Sequence, residues 1–242
     1  MPAPTPGKIF LADERGLVEA GDFRRYCTFS FGTFQHPHKQ PLGPLLALNE
    51  ELLAGGATLA LPVAEAAYVV LLPITGVVEV QLPGGELLPV DTGQVQVLTL
   101  PAGSELRLQN PFPDDVIRFL HGWVRAEEAG AAAVGPAAEF SAAAIANQLA
   151  PLLPAGPGLP FTASLGRLAG RHEATYALPA GRLFFAFVLA GAFEVEGRLL
   201  HQSDGLALWD APAPIEIEAL SNDALLLVLE VAQHFDSALG LA

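Results

Sequence analysis

From Gly56 onward the apolar residues fall in short runs of branched and aromatic side chains, and Gly, Pro or a charge ends each run within a few positions. Runs of this length, alternating with period two and bounded by turn residues, predict strands rather than helices. A first series is expected near Thr58 to Leu61, Tyr68 to Ile74, Val77 to Leu82, Val95 to Leu98, Glu105 to Gln109 and Ile117 to Val124. Pro83-Gly84-Gly85, Asp91-Thr92-Gly93 and Pro101-Ala102-Gly103 suit the reversals between them. A second series follows near Leu165 to Leu168, Ala174 to Leu178, Leu183 to Leu189, Ala192 to Val195, Leu206 to Trp209, Ile215 to Ala219 and Leu225 to Val231.

Between the two series the pattern changes. Arg125 to Pro160 is rich in Ala, offers a short helical candidate from Ser141 to Leu153, and then runs through PAGPGLP. The expected organisation is an N-terminal domain over 1–125, a connector with a short helix over 126–160 and a C-terminal domain over 161–242. The halves echo one another: LLPITGVVEV from Leu71 and FVLAGAFEVEG from Phe187 each read as strand, glycine turn and outgoing strand. Two similar all-β barrels are implied.

Composition narrows the function classes. The 242 residues are enough to bury a core without disulfides, and the single cysteine, Cys27, sits among apolar neighbours that suit a buried, unreactive thiol. With 12 Lys and Arg against 26 Asp and Glu, the net charge of −14 argues against direct nucleic-acid binding, which draws on clustered cations. The opening MPAPTPGKIFLADERG lacks the features of a secretory signal, and no apolar stretch approaches the roughly 20 residues needed to span a bilayer. A cytoplasmic protein that does not engage membranes is expected. Serine-nucleophile elbows, phosphate-cradling loops and dinucleotide fingerprints do not occur in the sequence.

CTFSFGTF over Cys27 to Phe34, PLGPLLALNEE over Pro41 to Glu51, the segment from Gly56 to Gly76, GQVQVL over Gly93 to Leu98 and the following Asn110-Pro111 together resemble the pirin family. SDGLALWD, over Ser203 to Asp210, is similar to the C-terminal cupin of bacterial pirin-like quercetinases. The resemblance implies two cupin barrels, each a double-stranded β-helix or jelly roll, in one chain. In that family the N-terminal barrel holds an iron-type metal through three histidines and a glutamate, and some members cleave quercetin oxidatively.

Counted back from Gly76, and from Gly93 toward Asn110-Pro111, the family's ligand positions fall on Pro62, Ala64, Tyr68 and Leu106. Proline, alanine and leucine offer no donor, and a phenol with an ordinary pKa near 10 is a poor one. The expectation is a relative without metal, cofactor or catalytic residues, whose former metal chamber is a small apolar cavity lined by those four side chains. It would serve as a non-catalytic binding or regulatory protein for a small apolar ligand or a protein partner. The alternative is a quercetinase-type dioxygenase, or another enzyme, that uses a displaced site.

The remaining candidates read as structural. His36-Pro37-His38 lies in a polar loop, and Glu65, three residues from Tyr68 in an extended segment, points to the opposite side. Glu79 and Glu105 solubilise strand faces, and His121 suits a hydrogen-bonded structural role. Arg171 to Glu173 and Ser203-Asp204-Gly205 suit turns, although His172 and His201 could meet across the second barrel.

Overall fold

The computed structural model describes residues 5–82, 85–127, 130–153 and 159–233. The chain opens with β1 (Gly7–Phe10) and a single 3-10 turn over Ala12–Glu14. It continues through β2 (Gly16–Ala20), β3 (Phe23–Cys27), β4 (Leu45–Leu53), β5 (Thr58–Pro62), β6 (Ala67–Thr75), β7 (Val78–Gln81) and β8 (Leu87–Val90). Then come β9 (Gln94–Leu100), β10 (Glu105–Gln109), β11 (Ile117–Arg125), β12 (Ala133–Glu139), β13 (Ala150–Leu153), β14 (Thr162–Leu168) and β15 (Glu173–Tyr176). The last strands are β16 (Arg182–Ala190), β17 (Ala192–Val195), β18 (Arg198–His201), β19 (Gly205–Trp209), β20 (Ile215–Ala219) and β21 (Ala224–Ala232). Among the described residues there is no α-helix, and none of the elements is a helix long and apolar enough to cross a membrane.

Two units result, Arg15–Glu139 and a second formed by Met1–Glu14 with Phe140–Ala242. In the first, a seven-stranded sheet of order β12-β9-β6-β11-β4-β3-β2 and a four-stranded sheet of order β5-β10-β7-β8 bury their inner faces in one core. In the second, a six-stranded sheet, β1-β19-β16-β21-β14-β13, and a four-stranded sheet, β15-β20-β17-β18, do the same. The short strands alternate as the sequence pattern requires: Leu59 and Leu61 are buried between exposed neighbours on β5, as are Leu106 and Leu108 on β10. Each such leucine contributes about 1.5 to 3 kcal/mol by leaving water.

The echo between the halves extends to backbone detail. Gly76 and Gly191 turn the chain at equivalent places with φ of 76° and 78°, a conformation that side chains strain to adopt. Two residues before each, the paired strands slip by one. Arg118 faces Thr75 but Phe119 faces Pro73, so Ile74 is an extra residue; Leu225 faces Ala190 but Leu226 faces Val188, so Leu189 is another. A bulge of this kind bends the strand and lets the sheet curl around its core.

The domain boundaries differ from the sequence expectation at both ends. β1 pairs with β19, so the first residues belong to the second barrel and not to an N-terminal domain over 1–125. The Ala-rich stretch does not act as a connector, because β12 pairs with β9 of the first barrel and β13 with β14 of the second. The helix expected over Ser141 to Leu153 does not form. Ala146 bridges to Arg167, Asn147 takes a φ of 52°, and Asn147 N–H donates to the Arg167 carbonyl at 2.8 Å, so sheet pairing overrides the alanine propensity. Pro83, Gly84 and part of PAGPGLP lie outside the described residues.

Candidate functional site

The four positions read as a former metal chamber do not come together. Leu106 is buried in the first barrel's core, but Pro62 and Ala64 are exposed. On β6 the core-facing residues are Ala67, Val69 and Leu71, which leaves Tyr68 on the opposite face with Val70 and Leu72, paired across to Thr99. Counting back from Gly76 crosses the extra residue Ile74, and a shift of one exchanges the two faces of a strand. The inward residues of β5, β6 and β10 are therefore Leu59, Leu61, Ala67, Val69, Leu71, Leu106 and Leu108, which with Val63 just after β5 make a wall without metal donors.

An apolar cavity does open in this barrel, with a different lining. It measures about 540 Å³ and lies among β7, β9, β10 and the start of β12. Val80, Leu98, Leu100 and Leu106 form its apolar floor, Ala132 to Val134 one side, and Gln81, Glu86, Ser104, Glu105 and Arg107 its polar margin. Glu105 and Arg107 pair at 2.7 Å and are half exposed, so they satisfy one another in solvent.

A second feature, unforeseen from the sequence, lies on the inner face of the seven-stranded sheet. Glu51 on β4 accepts from Arg25 Nε on β3 and lies 2.9 Å from His121 Nε2 on β11, and all three are buried. Trp123 Nε1 donates to His121 Nδ1 at 2.6 Å. An indole can only donate, so Nδ1 must accept and the ring proton sits on Nε2, directed at Glu51. His121 is thus a neutral hydrogen-bonded histidine. Burial pushes its pKa below the ordinary value and the Arg25 charge assists, against the opposing pull of Glu51. Cys27, on the same face, is buried, and burial pushes its thiol up to about 12. Glu50 projects to the other side of the sheet, where Arg15 Nη1 at 2.9 Å and Arg118 Nε at 2.5 Å neutralise it. The available signal was charge inside an apolar strand: Glu50-Glu51 sits in a segment buried nearly throughout, where charges must be paired, and buried Arg25 on β3 is the partner of Glu51.

The other candidates keep structural roles. His36 and His38 are exposed, and His38 N–H donates to His36 Nδ1 at 3.2 Å. Glu65 is exposed and accepts from Arg125 at 2.6 Å. His172 precedes β15 and His201 ends β18, at opposite edges of the four-stranded sheet. Three strand spacings, about 14 Å, separate those edges, so the two do not meet across the barrel. Buried Asp204 closes its turn by accepting from His201 N–H at 2.8 Å and Ala12 N–H at 2.7 Å. In the second barrel Glu230 accepts from Arg182 Nε and from the Tyr176 hydroxyl, each at 2.7 Å. Burial and the Glu230 contact push that phenol up to about 12. Among the described residues no three His, Cys, Asp or Glu side chains lie close enough to share a metal ion.

Two barrels of this strand order in one chain define a bicupin. Residues 161–231 match the family described as the quercetinase C-terminal cupin domain. A curated quercetin 2,3-dioxygenase of Escherichia coli strain K12 is 25% identical over 221 residues, covering 89% of this chain and 95% of that protein. The crystal structure of YhhW from Escherichia coli superposes with a TM-score of 0.83 at 21% identity, covering 96% of this chain and 100% of that one. The structure of the bacterial pirin YhhW in complex with nickel(II), from the same species, gives 0.81 at 21% identity over 95% and 100%. Residues 161–231 thus carry a cupin domain of the quercetinase C-terminal kind, and the chain shares the bicupin fold of these pirin structures.

Proposed function

We propose that this pirin-like bicupin holds a small apolar or aromatic molecule in the open cavity of its first barrel, without a resident metal and without chemistry of its own. The observation that carries the reading is the cavity itself: about 540 Å³, with an apolar floor of Val80, Leu98, Leu100 and Leu106 and a sparse polar margin. That volume and that balance of surfaces suit a drug-sized ligand. The metal-free part of the reading is supported by the wall that includes Leu61, Val63, Leu106 and Leu108, which supplies no imidazole or carboxylate.

Quercetin is the first probe, since a relative carries its name. Calorimetric titration is expected to show saturable binding near one equivalent, weakened at least tenfold by Ala133→Trp, which narrows the cavity from its exposed side. In parallel, quercetin with protein and added Fe(II) or Ni(II) should disappear no faster than without protein. Absence of saturable binding overturns the proposal. Metal-dependent consumption that chelator abolishes, or one tightly held metal equivalent in the purified protein, would establish the competing reading, a dioxygenase with a displaced site.

A further inference from the structure

The inner face of β3, β4 and β11 leaves several polar atoms without hydrogen-bond partners. Asn49 is fully buried, and neither its Oδ1 nor its Nδ2 is paired. Glu51 engages Arg25 and His121 through Oε1 alone, and its Oε2 and Arg25 Nη2 are unpaired as well. Cross-strand register sets Cys27, Asn49 and His121 in one row and Arg25, Glu51 and Phe119 in the next. Asn49 therefore offers an open donor and acceptor side by side, with a second donor and acceptor about 7 Å further along the strand.

Phe31 lies over this face from the segment that links β3 to β4. Its ring centroid is 5.3 Å from that of Trp123 and 5.7 Å from that of His121, and the Arg25 guanidinium carbon is 5.2 Å from it. Unlike the side chains beneath it, Phe31 is only partly buried. None of these residues lines the open cavity.

We propose that this face is a second binding site, for an uncharged aryl amide whose amide pairs with Asn49 and whose ring takes the place of the Phe31 ring. The amide follows from Asn49, since a side-chain amide open at both atoms is matched by a group that presents one acceptor and one donor together. Neutrality follows from Arg25 and Glu51, which already cancel; a further buried charge would lack a counter-ion. The flat ring follows from Phe31, Trp123 and the guanidinium face.

The test uses benzamide and benzoate, which share a shape and differ in charge, with Trp123 emission as the readout. Trp209→Phe leaves Trp123 as the sole tryptophan of the two. Benzamide should quench saturably and benzoate should not. Phe31→Ala should tighten benzamide at least tenfold by opening the site, Asn49→Leu should weaken it at least tenfold, and Ala133→Trp, in the open cavity, should leave it unchanged. Equal responses to the two probes, no saturation even in Phe31→Ala, or sensitivity to Ala133→Trp each overturn the proposal. If Asn49→Leu does not fold, a crystal structure of Phe31→Ala grown with benzamide decides. Density for the amide on Asn49 supports the site, and ordered water alone in its place overturns it.

Discussion

Counted from the shared bulge, Glu51, Asn49 and His121 of the first barrel correspond to Gly166, Ser164 and Val228 of the second. The strand order, the bulge and the glycine turn are common to both, yet one inner wall carries an ion pair and a histidine where the other carries small or apolar side chains. The core of the second barrel holds Phe184 and Phe193, both fully buried, and its carboxylate, Glu230, lies two residues beyond Val228 on the same strand. Glu230 meets Arg182 where 22% of the arginine side chain is still accessible, whereas only 6% of the Arg25 side chain is. The comparison teaches that this backbone frame does not dictate its filling. A polar cluster in the middle of the wall is a property of the first barrel's sequence, and it makes that barrel the one with more at stake electrostatically.

The largest effect should come from removing one member of that cluster. Glu51→Leu strands a buried guanidinium and is expected to cost about 3 to 5 kcal/mol in urea unfolding. Adding Arg25→Met should recover most of the loss, because replacing both partners with apolar groups is often close to neutral. Glu230→Leu should cost less, about 1 to 3 kcal/mol, since Arg182 can turn toward water. Equal losses at Glu51 and Glu230 would erase the distinction between the barrels.

Next in size are the turns that the barrels share. A Cβ at Gly76 would run into Ile117, and one at Gly191 into Ser221 and Ala224, each in a left-handed conformation. Gly76→Ala and Gly191→Ala should each cost about 1 to 3 kcal/mol in thermal melts. A loss at only one would show that the common plan is not equally strained.

A smaller effect is expected with pH. Folding favours neutral His121, so the unfolded chain takes up its proton more readily. The associated stability is present above the ordinary histidine value near 6.5 and is lost as pH falls below it. Urea midpoints should therefore drop between pH 7.5 and 5.5 in the parent, with less of a drop in His121→Val, the residue type that the second barrel uses. A parent midpoint that rises on acidification would refute the neutral tautomer. Smallest of all is Glu65→Gln: the pair with Arg125 is half exposed, and its loss should change stability by less than about 1 kcal/mol.

Strand positions were legible because alternation is a local property. Glu105 to Gln109, Ala192 to Val195 and Ile215 to Ala219 match the observed strands residue for residue, and the other expected strands agree within a few residues, whereas β8, β12, β13 and β18 were not expected. Cys27 and His121 could likewise be read as structural, since aromatic residues lie within two positions of each in the chain, and both are buried. What lay beyond local pattern had to be decided by pairing. β1 finds its partner in β19, nearly the whole chain away, so no pattern near Gly7 could assign it to the second barrel. Alanine-rich sequence after Ser141 favours helix in isolation, but the open edge of β14 offers hydrogen bonds that a helix there would forgo. Tyr68 was placed on the wrong face because one bulged residue, Ile74, reverses the parity on which the count depended. Arg25, Glu51 and His121 occupy three strands, and only the register β3-β4-β11 brings them together. The sequence by itself determined an all-β chain with two similar halves and an apolar interior. The tertiary structure alone decided which faces look inward and which polar groups meet there, because both depend on contacts between residues far apart in the chain.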